Sequence, residues 1–384
     1  ASNKQPYFEA KPSQKEIDAL QQKHLAHNIK ELQRIFTIAA TANGPVHINI
    51  PMEEPLYGMT NTPIDFPVIP ELKPRVPETN YKELLSAWKS SKRKMILIGV
   101  AKPNAELATV LDTLLQDPSV VVFTEKTSNL SHPNAIGAID CLMAPLELEQ
   151  NGGEAELKPD LLLTLGGMIV SKKIKFFLRK HQALNHFHID QTKANDTFYY
   201  LSQHIHAPAE NILTALTEIS TTKSDYQFNI LSRYRNYLQK GKGYLSKIPF
   251  SDLRVFELIT QALPQNTHLQ VANSSPIRYI QLFDLPKGTD VFCNRGTAGI
   301  DGSTATAMGA AQINTKQLVF ITGDLSFFYD INGLWHTYIP NHVRRIVINN
   351  QGGGIFRILP GEKDSPKYDT YFETIHDRRA KDVA

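Results

Sequence analysis

Two apolar runs in the last third of the chain, Gln317-Leu-Val-Phe-Ile-Thr322 and Arg345-Ile-Val-Ile348, break into Gly323-Asp324-Leu325-Ser326 and Asn349-Asn-Gln-Gly-Gly-Gly354 respectively. Short runs that are apolar on both faces suit parallel strands covered on both sides, and open α/β sheets take their ligands outside the carboxyl ends of such strands. Residues 326–339 between them are long enough for a helix. The stretch therefore reads as a βαβ unit with an oxygen-bearing side chain, Asp324 or Asn350, just past each strand. Magnesium prefers near-octahedral oxygen coordination with few protein ligands. A carboxylate from Asp324, an amide oxygen from Asn350 and a carbonyl from Gly352 would leave room for diphosphate oxygens and water. Amides around Leu325 and Ser326, at a helix start, suit the anion. The same residues also make an ordinary strand-end turn and loop, so pattern alone leaves a ligand-free reading open.

The rest of the composition narrows the field. A chain of 384 residues has ample core for two or three domains, at the usual ~100–200 residues each. With 41 basic and 38 acidic residues and a formal charge of +3, no global field argues for nucleic acid or a membrane surface. Only Cys141 and Cys293 occur, without metal-ligand spacing, which suits free thiols in a reducing compartment. No secretory segment opens the chain and no long uninterrupted apolar run occurs, so a cytoplasmic protein without membrane insertion is expected.

Along the chain, Lys15–Ala42 reads as an amphipathic helix and Val46–Ile50 as a short strand. One helix and one strand cannot make a domain, so residues 1–60 are expected to finish a sheet begun elsewhere. Residues 61–80, rich in proline up to Pro77, read as a linker. Within 81–222, the apolar runs Lys94–Gly99, Ser119–Thr124, Asp160–Gly167 and His186–Asp190 alternate with helical stretches, a Rossmann-like pattern. No G-x-G-x-x-G follows these strands, so a dinucleotide is not implied. Residues 223–250 read as a helical connector. A second parallel α/β sheet is expected over 251–384.

Four motifs carry a family resemblance: Gly44–Tyr57, Asn294-Arg-Gly-Thr-Ala-Gly-Ile-Asp-Gly302, Gly323–Leu334 and Asn349–Pro360. Together they resemble the 2-succinyl-5-enolpyruvyl-6-hydroxy-3-cyclohexene-1-carboxylate synthases, thiamine diphosphate-dependent enzymes of menaquinone biosynthesis that join 2-oxoglutarate to isochorismate. The likeness spans nearly all of the chain and is strongest in its last third. It implies a thiamine diphosphate-binding α/β fold, with a Rossmann-like central domain and a parallel-sheet diphosphate domain. It further implies Mg²⁺ or Mn²⁺ held by Asp324, Asn350 and Gly352, and cofactor contacts from Gly323, Leu325, Ser326 and Gly353. Ile300 would sit beneath the cofactor, while Ile355, Phe356 and Leu359 would line the pocket around its thiazolium ring. Asn349 would brace the loop.

Both substrates are dicarboxylates, which arginine recognises through a two-pronged fork, so Arg278 and Arg295 are the expected anchors. Ser274 follows a strand end beside them. Lys172 and Lys173 follow Gly166–Ser171, a loop that resembles the family's basic substrate loop, although an Arg is familiar where Lys173 stands. The glutamate that activates the cofactor belongs, in the family, to a part of the pyrimidine-binding domain that this sequence does not include. Glu9, Glu16 and Glu53 stand in a different context, so the isolated chain is expected to be inactive, and the full-length protein a homodimer or homotetramer. The alternatives are another thiamine diphosphate-dependent decarboxylase, an acetohydroxyacid synthase-like enzyme, or a non-catalytic α/β binding module.

Overall fold

The computed structural model describes residues 12–42, 44–51, 79–149, 152–359 and 365–382. The chain divides into two units, Ala1–Pro77 and Glu78–Ala384. The first is represented chiefly by the helix Gln14–Ala42. Its start is a reciprocal cap, in which Ser13 N donates to Glu16 Oε2 at 2.8 Å while Glu16 N donates to Ser13 Oγ at 3.4 Å. The expected strand Val46–Ile50 does not form. A strand exists through its ladder, and no partner strand occurs among the described residues of this unit, so Val46, Ile48 and Ile50 remain exposed. The expected proline-rich linker lies outside the described residues.

The second unit holds two parallel sheets. The first comprises β1 (Lys94–Ile98), β2 (Val120–Thr124), β3 (Ala135–Ile136), β4 (Leu161–Leu165), β5 (Asn185–Ile189) and β6 (Gln203–Ile205), in the order β3-β2-β1-β4-β5-β6. The second comprises β7 (His268–Val271), β8 (Asp290–Phe292), β9 (Leu318–Gly323) and β10 (Val343–Ile348), in the order β10-β9-β7-β8. Every pairing is parallel. This is the α/β class with parallel sheets that the sequence indicates.

The first sheet is sandwiched. β1, β2 and β4 are buried throughout. Ile96, Ile98, Leu161 and Leu163 face a core closed by the helices Lys82–Ser90, Ala105–Leu114 and Ala209–Thr217. Met95, Leu97, Val121 and Phe123 face the opposite core. The expected connector is the helix Tyr226–Leu245, and it is part of this second core rather than a free span: Tyr226, Ile230, Leu231 and Tyr234 are buried in it. At the end of β1 the chain turns against β4, with Gly99 N donating to Leu165 O at 2.9 Å and Gly167 N to Val100 O at 2.7 Å.

The second sheet is built around Leu269, Val271, Val319 and Ile321, which pack against Phe256, Ile277 and Ile280 on one face. On the other, Leu318 and Phe320 pack against Ala307, Met308 and Ala311. The helix expected over 326–339 is much shorter. It runs from Asp324 to Tyr329 and gives way to a 3-10 turn at Ile331–Leu334. Gly333 there approaches the backbone of Ala305 so closely that a Cβ would sit 2.8 Å from Ala305 N, and Asp330 Oδ2 accepts that same N–H at 2.7 Å. A straight helix would forfeit both contacts.

Candidate functional site

Because β9 and β10 are parallel and in register, with Ile348 opposite Gly323, their carboxyl ends lie side by side. Asp324 and Asn350 therefore emerge at one edge. Around them opens a cavity of about 400 Å³. Ser274, Arg278, Arg295, Ile300, Gly323, Asp324, Leu325 and Ser326 line it from one side. Asn350, Gly352, Gly353, Ile355, Phe356 and Leu359 line it from the other. The structure thus gathers the residues singled out in the sequence, apart from two lysines.

Asp324 is 2% exposed. Its Oδ1 accepts Leu325 N at 2.7 Å and its Oδ2 accepts Gly352 N at 3.0 Å. The Leu325 amide is therefore engaged by its neighbour's carboxylate rather than open to an anion, and the Ser326 hydroxyl donates to Ile300 O. Asn350 donates from Nδ2 to Asp252 Oδ2 at 2.8 Å, which orients its amide and keeps Oδ1 as an acceptor. Gly352 has a φ of 151°, and a Cβ on it would meet Glu373 O at 2.7 Å. Only glycine fits this close approach. Its carbonyl accepts Gly354 N at 2.9 Å, leaving one lone pair. Asn349 Nδ2 donates to Arg378 O at 3.0 Å, fastening the loop to the segment that follows.

These donors fit a hard divalent cation. Among the described residues, no group of three or more His, Cys, Asp or Glu side chains could hold a metal, so a cation here would draw on one carboxylate, an amide and a carbonyl oxygen, with ligand oxygens or water completing it. His376 Nε2 lies 3.2 Å from Asp324 Oδ2, with its ring edge-on to Phe328. A cation on that oxygen would displace this contact.

The cationic side of the cavity is set by residues the sequence reading passed over. Asn273, 1% exposed, donates to the carbonyls of Asn294 and, at 2.7 Å, Gly299, while its Oδ1 accepts Arg295 Nη1 at 3.1 Å. One buried amide thus shapes the 294–299 loop and aims its arginine. Arg295 Nε is buried without a hydrogen-bond partner among the described residues. Arg278 Nη1 donates to Ser274 O at 2.7 Å. Burial, and then Arg295, lower the pKa of the Arg278 guanidinium, with Asp140 opposing them. Two guanidiniums held together in a partly desolvated pocket favour an anion between them.

Backbone strain marks the same rim. Ser274 at φ 72°, Ala298 at 58° and Gln351 at 65° are non-glycine residues in the left-handed region, each costing about 1–3 kcal/mol. A strand-end Asn-Ser-Ser and an Asn-Gln-Gly were the available sequence signals. Neither discloses φ.

Lys172 and Lys173 are not among the cavity's lining residues. They open the helix Lys172–Lys180, where Lys172 is exposed and Lys173 pairs with Glu147. A second cavity, of about 710 Å³, adjoins the first through Ser275, Arg278, Ile355 and Leu359, and reaches Cys141, Tyr237 and Tyr244.

No family model matches the chain. Curated relatives do, among them three 2-succinyl-5-enolpyruvyl-6-hydroxy-3-cyclohexene-1-carboxylate synthases. That of Flavobacterium johnsoniae is 47% identical over 93% of this chain and 65% of its own length. The Flavobacterium psychrophilum protein is 44% identical over 94% and 66%. The Christiangramia forsetii protein is 43% identical over 97% and 66%. The chain thus spans just under two thirds of the length of these relatives. Matched along nearly all of its own length, the chain belongs to the 2-succinyl-5-enolpyruvyl-6-hydroxy-3-cyclohexene-1-carboxylate synthase family.

Proposed function

We propose that this chain supplies the metal- and diphosphate-binding part, and the substrate-carboxylate anchors, of a thiamine diphosphate- and Mg²⁺-dependent enzyme that joins 2-oxoglutarate to isochorismate with loss of CO₂. The convergence of Asp324, Asn350 and Gly352 on one strand-end cavity that also receives two arginines is the observation that carries this reading. In it, residues 81–222 form a central domain, 223–250 the helix joined to it, and 251–384 the diphosphate-binding domain. Residues 1–60 belong to a pyrimidine-binding domain.

Asp324, Asn350 and the Gly352 carbonyl would hold the cation, and Gly353, which has no side chain and whose N–H is taken by Glu373 O, would let the diphosphate approach the backbone beside it. Ile300, Ile355, Phe356 and Leu359 would exclude water from the ring of the cofactor. Bound thiamine diphosphate would supply the electron sink for decarboxylation and carbon–carbon bond formation. Arg278 and Arg295 would neutralise and orient substrate carboxylates, with the Ser274 hydroxyl as a further donor. None of these groups is a proton relay for the cofactor, which by family likeness is a glutamate of the pyrimidine-binding domain. The 384-residue chain by itself is therefore expected to be inactive.

Calorimetric titration of thiamine diphosphate into the full reading frame holding this chain, with and without Mg²⁺, tests the reading. Binding should require the cation. Asp324→Ala should weaken it by more than about 100-fold, beyond the ~10–100-fold typical of losing an outer partner of a metal ligand. Undiminished cofactor binding by that variant would sink the metal assignment. Turnover of 2-oxoglutarate with isochorismate, against pyruvate alone, separates this enzyme from an acetohydroxyacid synthase-like one.

A further inference from the structure

The segment Glu125–Asn129, which follows β2, reaches all three elements that carry the candidate anion anchors. Glu125 accepts Val170 N on both carboxylate oxygens at 2.8 Å and Ser171 N on Oε1 at 2.8 Å, gripping the loop that leads into Lys172. Lys126 N donates to Gln281 Oε1 at 2.7 Å, immediately after the helix Ser275–Ile280 that bears Arg278. Asn129 imitates a strand neighbour. Its Oδ1 accepts Val291 N at 2.6 Å and its Nδ2 donates to Val291 O at 3.1 Å, fixing the edge strand β8 that runs on to Arg295.

Glu125 is the costly member of this hub. It is 2% exposed, and among the described residues it makes no ion pair, so its charge is met by backbone N–H groups rather than by a contacting cation. Taking a carboxylate out of water costs several kcal/mol unless it is well compensated, and an apolar residue would avoid that cost. Oε1 receives both successive amides and Oε2 takes a second share of Val170 N, so every oxygen of the carboxylate faces a donor. Burial pushes its pKa up to about 7, while the N–H groups of Val170 and Ser171 and the charge of Arg295 pull it down and Asp140 adds to the rise. Asp140 also takes the Ser171 hydroxyl, and Glu125, Asp140, Ser171 and Arg278 surround one small void. The loop end is thus pinned by two carboxylates on the side facing the arginines.

We propose that Glu125 is a positioning residue for substrate carboxylates: it sets the strand-end loop of the first sheet against Arg278 and Arg295 of the second, and so governs substrate affinity without touching the cofactor. This rests on the reading of the two arginines as carboxylate anchors. Glutamine has the shape of glutamate but puts an NH2 donor where Oε2 stands, so Glu125→Gln would set that donor against Val170 N. Aspartate keeps both oxygens on a shorter arm.

The test is steady-state kinetics on the full reading frame holding this chain, with 2-oxoglutarate and isochorismate varied in turn and thiamine diphosphate affinity measured separately. Glu125→Gln should raise the KM of at least one substrate about tenfold or more, the scale of a lost charged hydrogen bond, with kcat and cofactor Kd changed much less. Glu125→Asp should recover part of the loss, which a merely structural role would not reproduce. Ser171→Ala loosens the same loop end without altering the buried carboxylate. It should shift KM in the same direction, and it decides the matter if Glu125→Gln does not fold. Unchanged KM in both, or equal loss of cofactor and substrate binding, overturns the proposal. Arg295→Ala is measured in parallel. If it raises KM while the Glu125 and Ser171 variants do not, only the positioning role falls; if it too leaves KM unchanged, the anchor reading falls first and takes the role with it.

Discussion

The two sheets of the second unit share a parallel architecture and differ in what their strand ends are built to do. In the six-stranded sheet, β1, β2 and β4 are wholly buried, and helices close both faces. In the four-stranded sheet, no residue of β10 is fully buried, and Arg344 and Arg345 are exposed. The strand ends carry buried polar groups (Asp324, Ser326, Asn273) and three strained residues. The first sheet gains stability from apolar area removed from water. The second gives up some of that gain to hold charges and strain at a cavity mouth, which is the expected trade-off at a functional site. Variants should therefore fall into two classes, those that cost stability and those that cost binding, with buried Glu125 after β2 the place where the first sheet joins the second class.

The largest expected effect lies in the first sheet. Phe187 on β5 is 1% exposed and packs within the core shared with Leu163 and Ile189. Phe187→Ala should cost about 3–5 kcal/mol, read as a lower urea midpoint at unchanged slope. A loss below about 1 kcal/mol would mean that this sheet is no better packed than the other, and the contrast would fail.

The same strand supplies a pH dependence. His186 is 1% exposed, and its Nε2 lies 2.9 Å from Thr164 Oγ1, which also lies 2.9 Å from His188 Nδ1. Burial, and next the charge of His188, depress its pKa from 6.5 to about 4. A base whose folded pKa lies below its unfolded value stabilises the fold above pH 6.5, and that contribution is lost as pH falls through about 4. The full swing is roughly 3 kcal/mol. Urea titrations at pH 7 and near pH 4 should show it, and His186→Gln should flatten the difference. Parallel pH profiles for the two proteins would remove His186 as the cause.

What the sequence disclosed follows the same division. β1, β2 and β4 were legible as short, nearly continuous apolar runs between turn residues, and β5 by the alternation of His186-Phe-His-Ile189. β3 is two residues and β6 is Gln-His-Ile, too short and too mixed to carry a period. That Asp324 and Asn350 would meet was legible because they follow successive strands. The supports of this motif were not: Asn350 leans on Asp252 and Arg295 on Asn273, pairs that adjoin only after folding. Lys172 and Lys173 stand apart from that motif. A basic pair after a strand end reads as a substrate loop, but the helix begins at Lys172, with Ser171 Oγ accepting Ile174 N at 3.2 Å, and Lys173 pairs with Glu147. The strand expected at Val46–Ile50 failed because a strand is a property of a pair.

The smallest expected free-energy change is the one that most sharpens the contrast. Arg278 and Arg295 sit together in a partly desolvated pocket, one tied to Ser274 O and the other to Asn273 Oδ1, with Arg295 Nε left without a partner among the described residues. Like charges held this close repel, and removing one relieves the other. In the full reading frame, Arg278→Ala and Arg295→Ala should each weaken carboxylate-substrate binding by about 1.5–3 kcal/mol, read as a rise in KM or a fall in kcat/KM. Thiamine diphosphate affinity should stay nearly unchanged. Thermal stability should hold within about 2 °C or rise, because the lost packing is offset by the relieved repulsion. Phe187→Ala should do the reverse, losing stability while the surviving folded protein keeps its substrate affinity. A matched fall in stability and binding for either arginine would place that residue with the core of the fold, and the division between the two sheets would have to be redrawn around it.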